Sequence, residues 1–376
     1  MDEGRGAAGG GGMILHFYLA RRFLRALGIV TAVFVAILLP IDIAEQLRRI
    51  GPAQGFGPVL ELALLNLPGS LYEMIPLFVL LGTLLMFLGL ARSSELVVVR
   101  AAGRSALKAA AAPVLVAGLL GVFIIMVLNP IVATTEQQFD LRSARYLGAE
   151  ERTVSVSAEG LWLRQGSPEN QTVIRASAAN SDGTQLFDAT FFGFDAEGTV
   201  TERINAREAV LVDGAWDLTG VRRWPLIEGV NPEAQAESLP SLLLPSTLTR
   251  EQIRDSFGKP ETVPIYQLPA FIAQLNRAGF AALQHRVWLQ SELSSPLMLA
   301  AMVLIGAGFT MRHTRFGRTG IMVLSAILLG FGTFFVRSFA QVLGETGQLP
   351  VALVAWTPPI AAILLAVALL LHTEDG

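Results

Sequence analysis

The chain has 376 residues and a net charge of −3 at pH 7, with 52% hydrophobic residues and only 16% charged ones. A soluble domain carries roughly 25% charged residues, so this composition, with a mean hydropathy of +0.52, points away from a soluble protein and from the basic surface of a nucleic-acid binder. With no Cys at all, disulfide frameworks, thiolate metal sites and Cys nucleophiles are excluded together.

The chain opens on MDEGRGAAGGGGM, a Gly-rich stretch that reads as a disordered N-terminus over residues 1–12, with Met13 as a candidate start. The apolar run that follows is long and lacks a small-residue cleavage site, so it reads as a retained membrane span. Crossing a bilayer takes about 20 mostly apolar residues. Six runs qualify: about 24–43, 73–90, 106–128, 293–311, 319–336 and 351–371. Residues 56–70 are also apolar but are interrupted by Pro68-Gly69, which predicts a separate short helix, interfacial or buried, ahead of the second span.

Basic residues cluster on one side of these runs. Arg21, Arg22 and Arg25 precede the first; Arg92, Arg100, Arg104 and Lys108 join the second to the third; Arg312, Arg315 and Arg318 join the fourth to the fifth. The opposite short loops hold only Arg48 and Arg49. Short cytoplasmic loops are enriched in Lys and Arg, which predicts cytoplasmic N- and C-termini and an outside location for about residues 130–286.

That outside segment reads as strands. TVSVSAEGLWLR alternates, ATFFGFDAEGTVTERI has a turn at Asp195–Gly198, and REAVLVDGAWDLTGV carries the hairpin signal Asp213-Gly214. The spacing predicts an antiparallel sandwich or open barrel over residues 146–245. Helical patterns return in TLTREQIRDSF and YQLPAFIAQLNRAGFAALQHRVW, connecting helices over 246–286. The fold class is α+β: a membrane protein with three spans in 13–145, an inserted antiparallel β domain, and three spans in 287–376.

Between the second and third spans lies LARSSELVVVRAAGRS. Ser94 as N-cap, Glu95 in the first turn and Gly103 as a stop predict a helix over about 94–102. Its apolar residues Leu96 and Val99 make it too greasy for a free loop, yet it is too short to cross a membrane. It is either a connector resting on headgroups or a helix that docks in a groove of a soluble partner.

Charges within or bordering spans are expensive and therefore functional candidates. Arg337 lies 19 residues beyond Arg318, roughly 28 Å along a helix, near the outer interface. Asp42 reaches a similar height, Glu45, Arg48 and Arg49 extend the first span outward, and Arg142 and Arg145 follow the third. Arg forks match phosphate oxygens, so Arg48, Arg49, Arg142 and Arg337 are candidate lipid-phosphate contacts. Arg337 has the alternative of snorkelling, or of pairing with Asp42 or Glu292. No P-loop, H-E-x-x-H or G-x-S-x-G motif occurs, and the four His are scattered, so neither ATP hydrolysis, a catalytic metal nor a cofactor is expected of this chain.

SELVVVRAAG, with PIDIAEQLRRIG at the end of the first span and SAEGLWLRQG opening the β region, resembles the LptF/LptG permease family of the lipopolysaccharide exporter, and within it the LptG branch. The resemblance covers nearly the whole chain from about Met13. It implies a non-catalytic inner-membrane permease subunit with a periplasmic β-jellyroll, paired with an LptF-like sibling, driven by an LptB ATPase dimer and passing lipopolysaccharide toward LptC. It also implies that Glu95, Leu96, Val99 and Arg100 belong to the ATPase-coupling helix, and that Asp42, Glu45, Arg48, Arg49, Arg142, Arg145 and Arg337 belong to the cargo path or gate. Relatives often carry Lys where Asp42 stands; an Asp repels phosphate, so it would instead meet a basic residue of the sibling. A mechanotransmission-type membrane protein and a lipid-modifying membrane enzyme are the other classes compatible with six spans and an outer domain.

Overall fold

The computed structural model describes residues 7–51, 55–95, 105–147, 154–157, 160–167, 170–180, 183–195, 198–227, 229–249, 253, 259–277, 280, 282–311 and 319–374. Among them, six helices are long and apolar enough to cross a membrane. They are α1 (Ala7–Ile50), α2 (Phe56–Arg92), α3 (Ala106–Leu147), α5 (Leu283–Thr310), α6 (Thr319–Glu345) and α7 (Val351–Glu374); the shorter α4 (Leu268–Arg277) precedes α5. Two compact units result: Met1–Tyr146, Glu261–Ile265 and Arg286–Gly376 form one, and Leu147–Pro260 with Tyr266–His285 forms the other.

The helices are longer than the sequence pattern predicts. α1 is helical from Ala7, inside the stretch read as disordered, because adding turns to an existing helix avoids the cost of nucleation. The expected short helix at 56–70 is instead the first part of α2, which runs through Pro68 and Pro76 without a break. Proline is tolerated in a membrane helix where neighbours re-satisfy the freed backbone groups. In α3 a π-helical turn, Ile124–Leu128, separates an apolar half from a polar one and is followed by Asn129, which is buried. Such turns re-aim the side chains that follow them.

The span unit has one core. Phe23 of α1, Phe78 and Phe87 of α2, Ala110 and Ala117 of α3, Met302 and Ile305 of α5, and Ala366 of α7 are all at most 2% exposed. Small residues let backbones approach, as expected where helices associate by packing rather than by a hydrophobic effect. A Cβ on Gly121 of α3 would lie 2.5 Å from the Cα of Pro296 in α5. α1 and α6 bury little of their apolar length within the chain.

The second unit holds an eight-stranded sheet, antiparallel throughout. Its strands are β1 (Val154–Ser157), β2 (Gly160–Ser167), β3 (Asn170–Ala176), β4 (Ala178–Ala179), β5 (Gln185–Phe194), β6 (Val200–Val212), β7 (Ala215–Pro225) and β8 (Glu237–Pro245). Their order follows the chain, with β4 paired to β5, so the arrangement is a meander, an order that the sequence left open. Asp213-Gly214 makes the β6–β7 turn with Gly214 at φ +74°. The sheet's core centres on Trp216, whose indole N–H donates to Gln165 Oε1 at 3.2 Å. Leu248, Ile253, Leu275 and Phe280 complete this core. The expected boundary between a β domain and connecting helices therefore gives way: α4, within Tyr266–His285, belongs to the sheet's unit, because Leu275 of α4 and Phe280 after it are buried in that core.

Gly121→Val places two methyl groups against the α5 backbone. Overpacking of this kind costs about 1–3 kcal/mol, so the variant should unfold at lower temperature than the parent when the detergent-solubilised chain is heated.

Candidate functional site

α2 ends at Arg92 with Ser93 as its C-cap, Ser94 follows at φ +61°, and Glu95 is again helical, so Ser94 stands directly ahead of a helix start. The Glu95 carboxylate is fully engaged. Tyr18 Oη donates to Oε2 at 2.6 Å, Arg22 Nη1 to Oε1 at 2.9 Å and to Oε2 at 3.1 Å, and Ser93 Oγ to Oε1 at 2.8 Å. Tyr18 and Arg22 lie one turn apart on α1, with the guanidinium 5.7 Å from the Tyr18 ring centre. The hydrogen bonds from Tyr18 and Ser93, joined by those and the charge of Arg22, hold the Glu95 carboxyl below the usual carboxylate range. The expected coupling residues Leu96, Val99 and Arg100 lie outside the described residues.

A second polar cluster surrounds Glu292 of α5, which is 3% exposed. Tyr72 Oη of α2 donates to Glu292 Oε2. Asn129 Nδ2 of α3 reaches Tyr72 Oη at 3.4 Å, and Asn129 Oδ1 accepts the backbone N–H of Ile265 at 3.0 Å. The π turn in α3 delivers Asn129 to this network. Beside it opens a cavity of about 390 Å³, lined by Tyr72, Trp288, Glu292, Ser295, Arg337 and Glu345 among others. Arg337 is half-buried, within Coulombic reach of Glu292 and Tyr72. Trp288 Nε1 and Ser295 Oγ are buried atoms with no hydrogen-bond partner among the described residues. Of the two acids expected as alternatives for Arg337, Glu292 shares its cavity, whereas Asp42 does not line it.

Asp42 Oδ1 accepts from Asn66 Nδ2 of α2 at 3.1 Å, and Asn66 Nδ2 also lies 3.4 Å from Ser70 Oγ. Arg48 makes a two-pronged pair with Glu45, Nε to Oε2 at 3.1 Å and Nη2 to Oε1 at 3.0 Å. Arg142 of α3 pairs with Glu61 of α2, whose Oε2 also accepts from Tyr146 Oη at 3.0 Å. Arg49 and Arg145 are exposed. The candidates thus fall into separate clusters. Sequence reasoning missed Tyr18, Glu61, Tyr72 and Asn129, and took Arg22 only as a topology signal. Glu61 and Tyr72 sit on the apolar α2 and Asn129 at the start of the polar half of α3, where polar residues in membrane-length helices were the available sign.

This is a polytopic membrane protein with an antiparallel β domain inserted between its third and fourth spans and polar clusters set into the span unit. The model of the lipopolysaccharide export system permease LptF/LptG family matches residues 17–372. The chain belongs to that family. It is 23% identical over 372 residues to the lipopolysaccharide export system permease protein LptG of Haemophilus influenzae, covering 96% of this chain and 99% of that protein. It is 24% identical over 360 residues to the LptG of Escherichia coli K12, covering 94% of each.

Asn66→Ala removes the donor to Asp42 and leaves its carboxylate without that bond. Stranding a buried charged acceptor costs about 1–3 kcal/mol or more, so thermal unfolding of the solubilised chain should shift down, and Asn66→Asp, which adds a second acid, should shift it further.

Proposed function

We propose that this chain is the permease subunit of an ATP-driven lipopolysaccharide exporter of the inner membrane. It extracts lipopolysaccharide from the periplasmic leaflet and passes it to a periplasmic bridge. The family match over nearly the whole chain carries the reading. Basic loops support cytoplasmic termini and a periplasmic β domain.

ATP is hydrolysed by a separate LptB-like dimer, which meets the helix over about 94–102 through Glu95, Leu96, Val99 and Arg100. An LptF-like sibling covers apolar faces that the chain leaves bare. On α6 these include Leu328, Phe335 and Phe339, which are 63%, 71% and 58% exposed. A LptC-like jellyroll protein receives the lipid.

The charged candidates divide by their partners. Arg48 and Arg142 are balanced by Glu45 and Glu61, so a lipid phosphate must compete with a carboxylate for each. Arg49 and Arg145 are exposed, which makes these two the stronger phosphate contacts, whereas Arg337 lines a cavity that it shares with Glu292 and Glu345. Asp42 and Glu45 serve the gate, where Asp42 is held by Asn66.

Co-purification from detergent extracts tests the coupling. LptB should accompany the native chain and be recovered about tenfold less with Glu95→Lys, since reversing one member of a charge contact costs at least the 1.4 kcal/mol of a tenfold change. Equal recovery would remove Glu95 from the interface. Depletion of the chain in cells should leave lipopolysaccharide in the inner membrane, measured by membrane fractionation; normal delivery to the outer membrane would sink the transport reading.

A further inference from the structure

Glu95 is tied to α1 by side chains far away in sequence. Its contacts to Tyr18 and Arg22 span 77 and 73 positions. Tyr18 and Arg22 stand four residues apart, so one helix face presents both donors together. Arg22 reaches across the last turn of α2, where a Cβ on Gly89 would lie 3.7 Å from its Nη2. Side chains of Arg22 and Glu95 remain 33% and 36% exposed, so solvent and partners retain access to the pair.

The rest of α1 has its own seat. Phe34 meets Phe78 of α2 with ring centres 4.7 Å apart, and a Cβ on Gly82 would come 3.2 Å from the Leu27 backbone. The other side of α1 is apolar and open, with Ile29, Val33, Ile37 and Ile41 at least half exposed. A displacement of Glu95 therefore has a direct route to a span whose outer face is free of this chain.

We propose that Tyr18 and Arg22 are positioning residues. They hold the Glu95 carboxylate in place and join α1 to the connection between α2 and α3, so that α1 moves with that connection. This rests on the reading of Glu95 as an acid that faces the ATPase. One charged guanidinium nitrogen shared between both oxygens, with the phenol on one of them, fixes the carboxylate and pre-sets Glu95 for a partner cation. The same contacts resist sliding of α1 past α2 at that end.

The Cys-free chain allows a direct test. Nitroxide labels on Phe17→Cys and Arg92→Cys, both at exposed positions, report the α1–α2 distance by double electron–electron resonance in the full chain. Arg22→Gln and Tyr18→Phe should broaden that distribution, and Arg22→Lys should narrow it again. Arg22→Glu and Glu95→Arg should each broaden it, and the double swap should restore it. In liposomes containing lipopolysaccharide and the chain with its co-purified ATPase, Arg22→Gln should lower lipid released per ATP hydrolysed about tenfold, the scale set by losing a hydrogen bond to a charged group. A general loss of folding would instead lower recovery of the complex and be insensitive to the double swap. An unchanged distance distribution in Arg22→Gln, or no recovery in the double swap, overturns the tie. Broadening with unaltered release per ATP overturns its role in coupling. If no ATPase accompanies the native chain, the exporter reading fails, and the distance measurements still decide the tie.

Discussion

A polar side chain in a membrane span must be satisfied from within the protein, because the lipid around it offers no hydrogen bond. That requirement organises this molecule. Glu292, almost wholly enclosed, takes Tyr72 from a second span and lies near Arg337 on a third. Tyr72 in turn meets Asn129 from a fourth, and Asn129 holds the backbone at Ile265. Three spans and the backbone at Ile265 are thus joined by one chain of hydrogen bonds, with Arg337 of a fourth span lining the cavity beside it.

The same constraint explains where the helices depart from ideal form. The π turn ahead of Asn129 costs regular backbone bonding, and it places a polar residue where Tyr72 and the Ile265 backbone meet it. Prolines sit inside α1, α2, α3, α5 and α7. Each removes a backbone donor, and close neighbours limit the penalty. Pro296 does more, since its backbone receives Gly121 at a distance that no larger residue fits.

Charge balance also separates the basic residues by role. An Arg paired with a carboxylate presents less net field to a lipid phosphate than an exposed one. Arg142 with Glu61 and Arg48 with Glu45 form local, neutral pairs, and Arg22 with Glu95 forms another at the α2–α3 connection. Arg337 differs in facing a cavity with carboxylates on several walls, including Glu292 and Glu345. A phosphate entering there would meet repulsion as well as attraction.

The number of spans, their order and the inserted antiparallel strands were legible in the chain, because apolar runs of membrane length and Asp-Gly turns between alternating residues are local signals. Helix ends were less legible: Pro68-Gly69 reads locally as a break, and only the surrounding helices make it tolerable. The hydrogen-bond partners of Glu95, Arg142 and Glu292 were not legible, although Glu292 was named from the sequence as an alternative partner for Arg337. A hydrogen bond between residues 73 or 220 positions apart leaves no periodicity, and it depends on which helix faces lie together. Tertiary packing alone decided that Arg22 meets Glu95, that Tyr72 meets Glu292, and that α4 closes the core of the sheet.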